Sequence, residues 1–143
     1  MSVSQETVRA NTGILSAVLQ SLRADSAIQA VLGDPARLFD SETENAYLPC
    51  VFLERYEQTD RDAHAIQANQ HTLTFASHST YGGMDEANAI LNALKTATER
   101  LSLDLQNQTL VLAYVVYSDV MRRPDNRSFR GVIRIRILTE EVL

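Results

Sequence analysis

Cysteine is nearly absent: Cys50 is the only one in 143 residues, so no internal disulfide can form and folding in a reducing cytoplasm is expected. The start, Met1-Ser2-Val3-Ser4-Gln5-Glu6, lacks the basic residues and apolar run of a secretion signal. No stretch approaches the roughly 20 apolar residues that span a bilayer, so no membrane partner is expected. Positive charge is in deficit, 13 Lys and Arg against 18 Asp and Glu. A net charge of −5 argues against general affinity for nucleic acid, which needs positive surfaces that displace counterions from phosphate. Internal repeats, low-complexity tracts and interdomain linkers are also missing. With 45% apolar and 22% charged residues the chain has the means to bury a core, and its length suits one domain over 1–143.

Against these absences stand clear periodicities. Val8, Ile14, Leu15, Val18, Leu19 and Leu22 recur at spacings of three and four, which predicts a helix over Thr7 to Arg23. Asp25-Ser26 offers a cap for a short helix over Ala27 to Leu32, which Gly33 stops with Pro35 just beyond. Arg37-Leu38-Phe39 reads as a short edge strand. The continuous apolar run Cys50 to Leu53 suits a strand covered on both faces, with Glu54 to Glu57 carrying it toward solvent. Gln58 to Gln70 reads as a long polar loop, mobile in the free subunit. His71, Leu73 and Phe75 alternate with polar residues as in a half-buried strand. Tyr81-Gly82-Gly83 breaks the chain before a helix whose inner face is Met84, Ala87, Ile90, Leu91, Leu94, Thr98 and Leu101. Leu110 to Tyr117 and Ser128 to Leu138 form a hairpin across Pro124-Asp125-Asn126. The fold class is α+β: an antiparallel or mixed sheet of four to five strands, with an N-terminal helix and one long helix packed on one face.

Residue types that carry chemistry are few. Cys50 and His71, on neighbouring strands, could serve as nucleophile and base, but a thiol inside an apolar run behaves as a small buried hydrophobe. His64, His71 and His78 recur every seven residues after Asp60 and Asp62, a spacing that places ligands on one face of neither a strand nor a helix. Gly82-Gly83 precedes a helix without the lysine and Ser/Thr of a phosphate loop, and Asp85-Glu86 repel phosphate there. No catalytic residue, metal or cofactor is therefore assigned.

Charge, in contrast, is segregated. Arg122, Arg123, Arg127, Arg130, Arg134 and Arg136 share their segment with Asp125 alone, a net of +5. Asp34, Asp40, Glu42, Glu44, Glu54, Glu57, Asp60 and Asp62 share theirs with Arg37, Arg55 and Arg61, a net of −5. Such charges can simply keep edge strands solvated. Complementary patches on different surfaces of one subunit also generate a head-to-tail interface, which closes into a ring when the rotation per step permits. The arginines with Asp60 and Asp62 are the expected subunit interface. Phe129 is the only aromatic residue among the arginines, too few for stacking on nucleic acid.

Leu48-Pro49-Cys50-Val51-Phe52, His71-Thr72-Leu73-Thr74-Phe75, the helix from Gly83 to Leu101 and the closing segment Met121 to Arg136 together resemble the tail terminator, or tail-completion, proteins of long-tailed phages and phage-derived gene transfer particles. The resemblance runs from the first helix almost to the C-terminus. At Cys50, where relatives often carry an aromatic residue, this sequence departs from the pattern. The resemblance implies a non-enzymatic structural protein: a homo-oligomer, a six-fold ring, that caps the tail tube, stops its polymerisation and provides the joint to the head connector. Its implied partners are the tail tube protein and a head-tail connector or adaptor protein, with DNA passing through the ring without specific recognition. It would be found in the host cytoplasm during assembly and then at the head-proximal end of the tail. The alternatives are a neck or head-completion adaptor, a small ligand-binding domain or enzyme around Cys50 and His71, and nucleic-acid binding by the arginines.

Overall fold

The computed structural model describes residues 2–43, 46–80, 83–125 and 127–142, with side chains from residue 13 onward. Val8 of the predicted helical face, Glu44, Tyr81, Gly82 and Asn126 lie outside the described side chains. The elements are α1 (Ser2–Ala24), α2 (Ser26–Leu32), β1 (Leu38–Phe39), β2 (Cys50–Asp60), β3 (Ala68–Ser79), α3 (Gly83–Glu99), β4 (Gln108–Arg122) and β5 (Phe129–Glu141). The strands form one mixed sheet in the order β1-β2-β3-β5-β4, parallel only between β1 and β2.

Period-2 alternation decides which face is buried. Leu73 and Phe75 of β3 lie opposite Ile135 and Ile133 of β5, and with Val51 and Ile137 they meet Ile14, Val18 and Leu22 of α1 and Ile90 and Leu94 of α3. All the helices thus cover one face. Each of these apolar side chains is at most 1% exposed, and full burial of one contributes about 1.5–3 kcal/mol. The Asp25 carboxylate accepts from the amides of Ala27 and Ile28 at 2.9 and 3.4 Å, the expected cap of α2. Gly33 stops that helix at a φ of 88°, a conformation open to glycine.

Three expectations are corrected. Gln58 to Gln70 is not a loop: β2 and β3 run on to a short tip at residues 61–67, pairing as far as Asp60 and Asn69. Polar partners hold this extension, with Gln58 Nε2 donating to Asn69 Oδ1 at 3.1 Å and the Ala68 amide to Asp62 Oδ1 at 2.9 Å. Met84 is exposed, and Ala93 and Ala97 complete the inner face of α3 instead. β4 continues past Tyr117 to Arg122 as an edge strand, with irregularities between Leu110 and Leu112 and between Val115 and Tyr117.

Candidate functional site

The face of the sheet away from the helices carries the charge. Strand alternation puts Arg130, Arg134 and Arg136 of β5 on this face, while Ile133, Ile135 and Ile137 between them point into the core. The irregularity at Val115/Tyr117 shifts the alternation of β4, so that Tyr114 comes opposite Arg136 and Tyr117 opposite Arg134. The Arg134 guanidinium carbon lies 5.7 Å from the Tyr117 ring centroid. At such a distance the ring quadrupole attracts the cation. Phe129 is therefore not the only aromatic partner of these arginines; the others come from β4, which the hairpin folds beside them. Among the described residues neither Arg134 nor Arg136 makes an ion pair, and the buried Nε of Arg136 has no hydrogen-bond partner.

Arg122, Arg123 and Arg130 are engaged within the chain. Arg130 pairs with Glu54 of β2. Arg122 stacks on Phe129, 5.5 Å from the ring centroid. Arg123 donates to His78 Nδ1 at 2.7 Å, a contact that requires a neutral imidazole. Burial first, and then the charges of Arg123 and Arg130, hold the pKa of His78 below its usual value. Glu54, His78, Arg122, Arg123 and Arg130, with Glu42, Phe52 and Met121, line a cleft of about 300 Å³ at one end of the sheet. Arg127 is exposed in the β4–β5 turn, which is shaped by Asp125: its carboxylate accepts from the amides of Arg127 and Ser128 and from the Ser128 hydroxyl. Those hydrogen bonds hold the Asp125 pKa down at about 2.

Asp60 and Asp62 lie at the opposite end of the sheet, at the β2–β3 tip. Within one subunit the structure keeps them apart from Arg122, Arg123, Arg127 and Arg130. Contact between the two sets requires a second copy.

The residues weighed for catalysis and metal binding do not converge. Cys50 pairs in register with His78, not His71, and burial raises its thiol pKa away from the reactive thiolate. His71 is fully buried in a closed relay. Thr139 gives its hydroxyl proton to Gln108 Oε1 at 2.7 Å, so it accepts from His71 Nε2 at 3.3 Å, and His71 Nδ1 accepts from Tyr56 Oη at 2.7 Å. Burial pushes His71 down to about 4 and Tyr56 up to about 12. His64 sits on the tip, His71 in the core and His78 at the cleft.

The arrangement is that of a rigid sheet-and-helix building block whose distinctive surface is an open, arginine-bearing sheet face beside an edge strand. The family model described as "Tail completion protein gp17" matches residues 16–140, and the chain belongs to that family. It is a structural component of tail completion in virion assembly, and so associates with other parts of a particle. None of the curated proteins matches the chain. A solved chain of the "Virion of native gene transfer agent (GTA) particle" superposes with a TM-score of 0.78 at 20% identity, covering 92% of this chain and 97% of that one. The "Structure of bacteriophage SPP1 gp17 protein" gives a TM-score of 0.59 at 14% identity, covering 90% and 89%. At these identities the two structures establish a shared fold. No described helix is long and apolar enough to cross a membrane.

Proposed function

We propose that this chain, a single domain over 1–143, forms a homo-oligomeric ring, hexameric by the resemblance, on the head-proximal end of a tail tube. There it stops tube polymerisation and provides the joint to the head connector. The observation that carries this reading is family membership over residues 16–140, on a sheet whose Arg134 and Arg136 lack acidic partners among the described residues. The arginine segment from Arg122 to Arg136 is one side of the subunit interface. Asp60 and Asp62 of a neighbouring copy are the other, displaced along the strands. Nothing in the reading calls for catalysis, a metal or a cofactor. Assembly takes place in the host cytoplasm, the finished protein resides in the particle, and DNA passes through the ring without sequence recognition.

Deleting the gene and imaging the particles tests this function. Full heads accumulating beside overlong tubes support termination. Full-length tubes lying beside unjoined heads point instead to a neck or head-completion adaptor.

A further inference from the structure

We propose that β4 of one subunit pairs antiparallel with the free edge of β2 in the next copy, so that the ring is joined through a sheet that runs on from subunit to subunit. This rests on the ring reading above and specifies its interface.

The two edges of the sheet differ in how they are protected. A long edge strand with unpaired amides and carbonyls invites pairing, and proteins defend such edges with lysine, proline, inward charge or short length. β4 has fifteen residues and no strand beyond it among those described. From Gln108 to Met121 it contains neither lysine nor proline, and its one charge, Asp119, accepts a hydrogen bond from the Tyr117 hydroxyl. Val111, Leu112, Val116, Tyr117 and Met121 are 41–60% exposed along it. The edge is undefended, as expected where it is covered in the assembled state.

At the other edge, β1 is only two residues long and covers Val51 and Phe52. β2 from Glu54 to Asp60 is left without a strand on that side among the described residues. This free edge holds Glu54, Glu57 and Asp60 with Arg55; Glu54 is paired with Arg130 and Glu57 with Arg55 at 3.1 Å within the chain, while Asp60 has no ion pair among the described residues, so the strand stays net negative and suits a positive neighbour better than a second copy of itself. That neighbour is β4: Arg134 and Arg136 lie one strand behind it, opposite Tyr117 and Tyr114, and the Arg134 guanidinium lies over the Tyr117 ring. A strand added beyond β4 stands two spacings from β5, about 10 Å, which an extended arginine and a glutamate bridge together.

Direction agrees as well. β2 is antiparallel to β3, β3 to β5 and β5 to β4, so β4 runs opposite to β2. A copy generated by rotation about an axis along the strands therefore brings its β2 antiparallel to β4, and the joint is head-to-tail, as ring closure demands.

Disulfide trapping tests the joint, in a Cys50→Ala chain assembled into particles. Tyr117→Cys is combined in turn with Arg55→Cys, Glu57→Cys and Thr59→Cys, all positions on the helix-free face. The proposal expects one combination to give, on oxidation, a ladder of covalent oligomers up to the full ring, while Tyr117→Cys alone gives none. Dimers from Tyr117→Cys alone would show β4 pairing with β4 and overturn the proposal. Intact rings, seen in particle images, with no ladder from any combination would overturn the edge joint while leaving the ring. Particles carrying a single copy would overturn both. As a second probe, Val111→Lys with Val116→Lys restores an edge defence on exposed positions. It is expected to leave the circular dichroism of the subunit unchanged and to abolish its incorporation into particles; normal incorporation counts against the joint.

Discussion

Arg134 reaches across the ring of Tyr117 from the neighbouring strand, and no carboxylate of the described chain meets it there. The charge is held in place by an aromatic surface yet left open to a partner. Arg130, four residues earlier on the same face, is already paired with Glu54. The two arginines are therefore not equivalent probes of assembly.

Arg134→Glu is the clean charge reversal, because Arg134 is exposed whereas Arg136 is half-buried with its Nε enclosed. Changes of exposed charge alter subunit stability by no more than about 0.5 kcal/mol, whereas like charges across an interface cost several. Subunits that melt normally but fail to cap tails are the expected phenotype. Assembly of the unaltered protein should also weaken as salt rises, because exposed charges are screened over about 10 Å at 0.1 M. Normal capping by this variant, together with salt-independent assembly, would reduce Arg134 to part of a solvated strand face.

Stability should fall on acidification between about pH 6.5 and pH 4 because of His71. Its folded pKa is depressed to about 4 from an ordinary 6.5, so in this window the unfolded chain binds the proton that the folded chain refuses. The stabilisation is fully present above pH 6.5 and declines toward pH 4, by on the order of 3 kcal/mol in all. Urea midpoints measured at pH 7.5 and 4.5 should differ in the native chain. They should differ less in His71→Gln, which has nothing to titrate there; equal slopes would remove His71 as the cause.

Gly131→Ala should be destabilising although the position lies in a regular strand. An added Cβ would stand 2.4 Å from the Ser77 hydroxyl oxygen and 3.2 Å from Leu91 Cδ2, where α3 crosses β5. The Ser77 hydroxyl also accepts from the Gly131 amide at 3.1 Å, so moving it away disturbs a buried hydrogen bond. A loss of roughly 1–3 kcal/mol is expected from overpacking, read as a drop in the denaturation midpoint.

Cys50→Ala should lose only about 1 kcal/mol and leave assembly intact, because Cys50 acts as a buried apolar group. In the native fold its raised pKa and burial should slow alkylation at neutral pH relative to the unfolded chain. A folded chain with alanine here that cannot assemble would contradict the packing role.

The sequence was informative wherever burial imposes a period. The spacing of Ile133, Ile135 and Ile137 and that of Ile90, Leu91 and Leu94 each follow from one face packing on the other, and Asp25 and Gly33 mark the ends of α2. It misled at Gln58 to Gln70, where a largely polar hairpin arm has no apolar alternation to betray it and is held by polar pairs such as Gln58 with Asn69. Of the candidate interface, the arginines were legible as a charge cluster. Their pairing with Tyr114 and Tyr117 was not, because it depends on an irregularity in β4 that shifts its alternation. Nor could a linear sequence separate Arg130, engaged by Glu54 from 76 residues away, from Arg134 and Arg136.

On the proposed function, this chain ends tube growth by capping. Purified chain added to tubes growing from their initiation complex measures it directly. Capping predicts that elongation halts, with tube length fixed at the moment of addition and the added chain bound only at the growing end. Tubes that continue to lengthen at the same rate with the chain present in excess over their ends would contradict it.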